Sequence, residues 1–352
     1  MSIIALNEQG ELPKAVIYGC EGLTLNDAER EFFEKENPLG FILFARNCEN
    51  PVQVQQLVDE LKATVAHRDA LILIDQEGGR VARLRPPHWP DYPSARTLAN
   101  LADKNVQHAG EAIYLNSRLI AEDLTYLGIN VDCLPLADVP VEGSHDIIGD
   151  RAYGTDPERV ATLAREAAQG LMDSGVLPVL KHIPGHGRAT VDSHLDLPEV
   201  TTSLEELRNT DFAPFRELAD LPLGMTAHVL YTGIDPYRVA TLSPDVITLI
   251  REEIGFNGLL MTDDLSMKAL KGDFAKLAHD SLAAGCDVVL HCNGNMEEMR
   301  AISTAVHSLN SEAAARALRA ERVLKNNRPF DGMVARQRMA KFLTEANTAA
   351  TA

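Results

Sequence analysis

The segment VLPVLKHIPGHGRATVDSH (residues 176–194) joins a short apolar run to a loop rich in histidine, glycine and charged residues. The run at 176–180 is nearly continuous rather than alternating, which is typical of a parallel strand buried on both faces. The polar pair Lys181 and His182 follows directly, and more ionisable side chains follow in the loop. A strand that ends in this way delivers side chains to a site. The segment therefore predicts a parallel sheet and the place of its functional residues.

Similar apolar runs recur along the whole chain, each separated from the next by a segment with helical periodicity. The predicted strands are Ala15–Cys20, Gly40–Ala45, Ala70–Asp75, Ile129–Asp138, Leu177–His182, Leu223–His228, Gly258–Asp263 and Asp287–Cys292. The predicted helices are 24–36, 51–66, 105–127, 156–174, 203–218, 243–254, 268–284 and 296–309. This alternation predicts an α/β fold, a single (β/α)8 TIM-type barrel, while a doubly wound open sheet is an alternative with the same periodicity.

The sequence pattern predicts a single domain. Residues after 310 indicate one extra helix packed outside the barrel, and no Ser/Gly/Pro-rich linker divides the chain. We therefore predict one catalytic barrel domain over residues 1–340 and a flexible C-terminal tail over residues 341–352.

The composition argues against several classes of partner and location. The 352 residues include 33 Lys and Arg against 51 Asp and Glu, a formal charge of −18. An acidic chain without basic runs is not typical of proteins that bind nucleic acid or anionic membranes. The five cysteines lack metal-ligand spacing, which favours free thiols in a reducing compartment. Neither a signal peptide nor a membrane-spanning run is recognisable, so we expect a cytoplasmic protein.

Ionisable residues stand at the ends of most of the predicted strands. They are Asp75, Asp138, Lys181 with His182, His228 and Asp263, at the ends of the third to the seventh strand. In a (β/α)8 barrel the carboxyl ends of the strands form one face, and active sites lie there. Charges that adjoin apolar strands so often are hard to reconcile with a purely structural role. We therefore predict an enzyme rather than an inert scaffold.

Asp263 stands where the seventh predicted strand leaves the core. An aspartate in this place often caps the helix that follows. Asp264 or Ser266 could cap that helix instead and leave Asp263 to face the site. We therefore predict a functional rather than a capping role for Asp263.

Asp192 and His194 stand two residues apart in a segment, 183–202, that has no periodic pattern. In an extended chain residues i and i+2 point the same way, so the carboxylate can fix the imidazole tautomer and raise its basicity. A solvated loop pair is the alternative. Loops of this length inside a compact domain are usually functional or disordered, and we predict a mobile catalytic loop.

Lys181 and His182 are consecutive, so in a regular strand only one of them faces the barrel axis directly, and twist near the rim could bring both to a ligand. Lys181 could donate hydrogen bonds to a polar ligand, form a Schiff base or hold a structural ion pair. His186, between two glycines, is expected to shape the loop rather than to react.

Two arginines and an aspartate are further candidates for ligand binding. Arg83 and Arg151 could clamp a hydroxyl or a carboxylate, and Asp75 could bind a pair of sugar hydroxyls. Either arginine could equally be a surface charge.

Several motifs together resemble one family. They are IDQEGGRVAR (74–83), GDRAYG (149–154), KHIPGHG (181–187) with DSH (192–194), and MTDDLSM (261–267). In order and placement they are similar to glycoside hydrolase family 3, and most closely to its single-domain bacterial β-N-acetylglucosaminidases of peptidoglycan recycling. The resemblance covers about residues 15–300 and implies a TIM-type barrel with a two-step retaining mechanism.

The resemblance also implies a role for each matching residue. Asp263 would be the nucleophile, and His194, positioned by Asp192, would be the acid/base. The sugar-binding positions would be Asp75, Arg83, Arg151, Lys181 and His182. The implied substrate is a terminal β-linked N-acetylglucosamine (GlcNAc), as in GlcNAc-1,6-anhydroMurNAc and its peptides. We expect a monomer that acts on this small carbohydrate without a cofactor or a metal ion.

Other readings of the same residues stay open. A histidine acid/base departs from the usual pair of carboxylates in retaining glycosidases. A cationic histidine would not repel phosphate as an acceptor, so phosphorolysis is one alternative. Others are a Schiff-base aldolase that uses Lys181, a non-catalytic sugar-binding module, and a metal-dependent hydrolase that uses His182, His186, His194 and Asp263.

Overall fold

The computed structural model describes residues 1–103, 105–189, 191 and 197–350, with the backbone alone for 346–350. The barrel strands are β1 (Lys14–Gly19), β2 (Pro38–Leu43), β3 (Leu71–Ile74), β4 (Val131–Asp132), β5 (Leu177–Ile183), β7 (Leu223–Thr226), β9 (Leu259–Asp264) and β10 (Val288–His291). The short strands β6 (Glu199–Val200) and β8 (Leu230–Tyr231) pair with each other outside the barrel.

Within the described residues, eight parallel strands close on themselves in the order β1-β10-β9-β7-β5-β4-β3-β2. β1 pairs with β10 as well as with β2, and this pairing closes the sheet. A closed sheet excludes the doubly wound alternative, which has two free edges. The predicted (β/α)8 barrel is therefore confirmed, and each predicted strand overlaps an observed one.

The helices surround the barrel. They are α1 (Asp27–Glu36), α2 (Pro51–Ala63), α3 (Ala95–Ala99), α4 (Val106–Tyr126), α5 (Pro157–Asp173), α6 (Leu204–Asn209), α7 (Ala213–Glu217), α8 (Pro244–Thr248), α9 (Phe274–Ala284), α10 (Met296–Ser303), α11 (Ser311–Glu321) and α12 (Gly332–Ala350). Helices α1 to α9 lie between strands, and α10 to α12 follow β10. N-cap residues explain where several helices begin. The Asp156 carboxylate accepts a hydrogen bond from the Arg159 amide at the start of α5, and the Ser243 hydroxyl accepts one from the Val246 amide at the start of α8. No helix in these ranges is long and apolar enough to cross a membrane.

Some predicted helices are shorter or divided in the structure. The predicted helix 203–218 is split into α6 and α7, and Pro214 lies in the first turn of α7, where its missing N–H is tolerated. The predicted helix 268–284 starts only at Phe274, because Gly272 has φ +142° and Asp273 caps α9. The short helix α3 was not predicted.

The C-terminal part carries more helix than the sequence pattern indicated. The predicted extra helix is α11, and α12 follows it and packs against α4. α12 extends to Ala350, into the range predicted as a flexible tail. The division into a catalytic domain over 1–340 and a tail over 341–352 stays a prediction.

The fourth predicted strand, 129–138, is regular only over the two residues of β4. The rest of the run still follows β5, because the Val179 amide donates to the Leu134 carbonyl and the Ala137 amide donates to the Lys181 carbonyl. Pro135 has no N–H to donate within this stretch. The irregular extension brings Asp138 beside the end of β5, next to the residues that carry the site.

Candidate active site

A cavity of about 370 Å³ opens at the carboxyl ends of the barrel strands. Six of the predicted site residues line it together: Asp75, Arg83, Arg151, Lys181, His182 and Asp263. The other two, Asp192 and His194, lie outside the described residues. The structure thus brings side chains from three strand ends and two loops to one site, where barrel enzymes bind their substrates.

Asp75 follows β3 and joins two cations of the cavity. Its Oδ1 atom lies 2.9 Å from Lys181 Nζ, and its Oδ2 atom lies 2.8 Å from Arg83 Nη2. Burial raises the pKa of Asp75, but Lys181 and Arg83 outweigh that effect and hold the pKa well below its usual range. Asp75 is therefore an ionised carboxylate whose position is fixed from both sides.

Glu77 is a site residue to which the sequence prediction gave no role. Its Oε1 atom lies 2.7 Å from Lys181 Nζ, and its carboxylate accepts from Arg151 Nη2 at 2.8 Å and from Arg151 Nε at 2.9 Å. This bidentate pair fixes the guanidinium plane of Arg151. The spacing from Asp75 to Glu77 was the available signal, because residues i and i+2 of an extended chain share a face.

Lys181 is buried between these carboxylates, with 2% of its side chain exposed. Burial lowers the pKa of Lys181, but Asp75 and Glu77 raise it above its usual value. A Schiff base requires a neutral amine, so this environment opposes the aldolase alternative. Of the three roles considered for Lys181, the ion pair is the one that the geometry forms, and the ammonium still lines the cavity.

The same alternation of charges suits a neutral sugar. A continuous chain of ion pairs lies at the cavity, and its members in order are Arg83, Asp75, Lys181, Glu77 and Arg151. A sugar hydroxyl both donates and accepts hydrogen bonds, so neighbouring carboxylates and cations can satisfy it from two sides. Neither arginine is a surface charge, since their side chains are only 22% and 10% exposed.

His182 and His186 both line the cavity, close to the buried Asp138. His182 Nδ1 lies 2.7 Å from Asp138 Oδ2, and the two imidazole rings are 5.6 Å apart. Lys181 lines the same cavity as His182, so both consecutive side chains reach it, and the peptide bond between them is cis. Burial and the neighbouring His182 lower the pKa of His186 to about 4, so His186 is neutral near pH 7.

Asp263 and Asp264 have different surroundings at the end of β9. The Asp264 carboxylate accepts from the Ser266 amide at 3.0 Å, from the Ser266 hydroxyl at 2.6 Å and from the Cys292 amide at 3.1 Å. Asp264 thus stabilises the turn after β9. The prediction that Asp264 or Ser266 caps the next helix is wrong, because Asp273 caps α9. Asp263 is half-buried and lines the cavity, and its catalytic role stays a prediction.

His228, at the end of the sixth predicted strand, is fully buried and supports that turn from below. Its Nε2 atom lies 3.0 Å from the Asp264 carbonyl, and its Nδ1 atom lies 2.8 Å from Thr241 Oγ1. Burial lowers the pKa of His228, so the imidazole is neutral. This residue positions the backbone next to Asp263 rather than lining the cavity.

Another part of the cavity wall is apolar. Its members include Ile42, Phe44, Met225, Met267 and Leu290. The Arg83 guanidinium lies over the Phe44 ring at 4.8 Å from its centroid, which adds a cation–π contact to the Asp75 ion pair. Within the described residues, no three His, Cys, Asp or Glu side chains are grouped so that they could hold a metal ion, and His194 of the metal-site alternative lies outside them.

Replacing Glu77 with alanine should lower the free energy of unfolding by about 3–5 kcal/mol, because Lys181 and Arg151 would keep buried charges without this partner. The matched control is Asp103→Ala, which removes an exposed ion pair to Arg159 at 2.7 Å and should cost about 0–1 kcal/mol. Urea denaturation of both variants measures the difference. Equal losses would contradict the view that the buried charges depend on Glu77.

The chain is similar to known proteins over most of its length. The profile described as "Glycosyl hydrolase family 3 N terminal domain" matches residues 8–326. A β-hexosaminidase of Alkalilimnicola ehrlichii is 37% identical over 282 residues, which cover 79% of this chain and 80% of that protein. A β-hexosaminidase of Pseudomonas aeruginosa is 37% identical over 277 residues, 77% of this chain and 80% of that protein.

A solved structure agrees with the sequence comparison. NagZ from Neisseria gonorrhoeae, in complex with N-trifluoroacetyl-D-glucosamine, has a TM-score of 0.81 and 30% sequence identity. The match covers 96% of this chain and 98% of the NagZ chain. The chain belongs to glycosyl hydrolase family 3, and like its β-hexosaminidase relatives it is a glycoside hydrolase.

Proposed function

We propose that this glycoside hydrolase is a retaining exo-β-N-acetylglucosaminidase that removes terminal GlcNAc from GlcNAc-1,6-anhydroMurNAc and its peptides during cell-wall recycling in the cytoplasm. The observation that carries the proposal is one cavity that contains Asp263 together with the chain of ion pairs from Arg83 to Arg151. The β-hexosaminidase relatives and the glucosamine derivative bound to NagZ support this choice of sugar.

In the proposed mechanism Asp263 attacks the anomeric carbon and forms a covalent glycosyl-enzyme, while His194 protonates the leaving oxygen. His194 then removes a proton from water, which attacks the same carbon and releases GlcNAc with its β-configuration retained. Asp192 orients the imidazole and stabilises its cationic form. An imidazole with an unperturbed pKa of ~6.5 can serve in both steps near neutral pH.

The sugar-binding residues are assigned by the same proposal. Asp75 and Lys181 would bind hydroxyls of the terminal sugar, and Arg83 and Arg151 would donate further hydrogen bonds. Glu77 would hold Lys181 and Arg151 in place. Their ion pairs fix the side chains before the sugar arrives, so little side-chain entropy is lost on binding. A preorganised polar site of this kind favours a single orientation of the sugar.

Turnover and covalent trapping test the proposal together. The enzyme should hydrolyse 4-nitrophenyl β-N-acetylglucosaminide but not the matching β-glucoside, and it should release GlcNAc from the anhydro-disaccharide. The 5-fluoro derivative of β-GlcNAc fluoride should form a stable ester with Asp263, found by peptide mass spectrometry. A label on another residue would contradict the assignment of Asp263 as the nucleophile. Formation of GlcNAc-1-phosphate in phosphate buffer would show that the reaction is phosphorolysis rather than hydrolysis.

A further inference from the structure

Asp138 is a fully buried carboxylate behind the cavity, on the irregular extension of β4. Its Oδ2 atom lies 2.7 Å from His182 Nδ1, and its Oδ1 atom accepts from the backbone amide of His186 at 2.6 Å. The backbone amide of His182 lies 3.3 Å from either oxygen. One carboxylate therefore contacts a side chain of the sugar site and the main chain where segment 183–202 begins.

The position requires a carboxylate rather than another polar group. N–H groups face both oxygens, so each oxygen must accept. An asparagine has one carbonyl oxygen. Its NH₂ group would either meet the His186 amide donor to donor, or face Nδ1 and be accepted only if the His182 ring changed to the Nε2–H tautomer. Burial raises the pKa of Asp138, but His182 and His186 outweigh it and hold the pKa below its usual range, so the group is ionised.

The ring and the main chain beside Asp138 are held in defined places. Because Asp138 accepts from Nδ1–H, the Nε2 atom of His182 is the nitrogen left for a ligand. The Tyr231 hydroxyl donates to the Gly185 carbonyl, and a Cβ atom at Gly187 would overlap the carbonyl of Val139. The backbone at 185–187 is thus packed against the extension that carries Asp138.

We propose that Asp138 is a positioning residue of the glycosidase reaction, which fixes the His182 ring in the sugar site and, through the His186 amide, the main chain that leads to the acid/base. This inference rests on the proposed function, because that function assigns the sugar to His182 and the proton to His194. Asp138 touches neither the sugar nor the reacting atoms, so it acts only through these two residues.

The test compares Asp138→Asn with Asp132→Asn. Asp132 is equally buried on β4, and its Oδ1 atom accepts from the Gln76 amide at 2.9 Å. Burial raises the pKa of Asp132 well above its usual value, and asparagine keeps a carbonyl oxygen that can accept from the Gln76 amide. We expect less than about a threefold change in kcat or KM for D132N, since a neutral acceptor is retained.

D138N should raise KM for 4-nitrophenyl β-N-acetylglucosaminide about tenfold, through the misplaced His182 ring. It should lower kcat about 10- to 100-fold for a methyl glycoside, whose leaving oxygen needs protonation. The rate constant of the glycosylation step for a 2,4-dinitrophenyl glycoside, measured as the burst, should fall much less, because that leaving group needs no proton. In the double variant D138N/H182A the KM effect should not add to that of H182A. Kinetic constants equal to those of D132N, with only a lower melting temperature, would overturn the inference.

A measurement on the unaltered enzyme covers the case in which D138N fails to fold. Long-range ¹H–¹⁵N NMR, with the His182 signals assigned by their loss in His182→Ala, should show the Nδ1–H tautomer. The Nε2–H tautomer would overturn the inference. If Asp263 and His194 variants behave as proposed while D138N matches D132N, only the inference on Asp138 fails; if those variants stay active, the proposed function fails first.

Discussion

Replacing Asp263 with alanine should lower kcat/KM by at least about 10⁴-fold, because the covalent path loses its nucleophile. Azide should restore part of the activity, since a small anion can occupy the space that the carboxylate leaves. Azide would attack the anomeric carbon, expel the aglycone from the opposite face and give the α-glycosyl azide. Product analysis by NMR shows the inversion directly.

The neighbouring carboxylate provides the matched control. Asp264 also lines the cavity, but its carboxylate is engaged by Ser266 and Cys292. Asp264→Ala should lower the melting temperature and should give no α-glycosyl azide. Azide rescue with inversion in the Asp264 variant, or unreduced and retaining turnover in the Asp263 variant, would show that Asp263 is not the nucleophile. The second outcome would direct attention to the substrate's own acetamido group.

His194→Ala should have the next largest effect, and its size should depend on the leaving group. For GlcNAc-1,6-anhydroMurNAc, whose leaving oxygen needs a proton, kcat/KM should fall about 10²- to 10⁴-fold. For the 2,4-dinitrophenyl glycoside glycosylation should be nearly unchanged, so the glycosyl-enzyme accumulates and a burst precedes slow turnover. Rapid-quench measurement of dinitrophenolate release records that burst.

The reaction with azide also tests the role of His194 as the acid/base. In the His194 variant azide would attack the accumulated glycosyl-enzyme and give the β-glycosyl azide, the opposite anomer to that expected from the Asp263 variant. His279→Ala, which removes an exposed histidine from α9, should behave like the unaltered enzyme. Equal losses for good and poor leaving groups would contradict His194 as the acid.

The barrel was predictable because buried parallel strands leave a strong pattern. Runs such as 71–74 and 288–290 are apolar on both faces, and the observed strands lie at the predicted places. The irregular course of 133–138 was not predictable, since its hydrogen bonds to β5 depend on a partner more than forty residues away. The same holds for α12, which is stabilised by packing against α4.

The site was predictable in its members but not in their connections. Strand-end position is a local property, and it identified Asp75, Lys181 and Asp263. Glu77 was passed over, and Asp138 was identified as a strand-end charge but given no role. Their roles come from contacts with side chains of other strands, which spacing alone does not encode. Asp192 and His194 lie outside the described residues, so their roles still rest on the motif.

The chain of ion pairs from Arg83 to Arg151 has a consequence for how this enzyme could change its substrate during evolution. Each inner member neutralises two neighbours, so a single replacement leaves a buried charge without its partner and lowers stability as well as sugar binding. Selection would therefore remove most single substitutions in this chain of ion pairs. The apolar wall of Met225, Met267 and Leu290 carries no such mutual dependence. New specificity for the sugar or its aglycone should therefore begin on that wall, while the charged side stays the same.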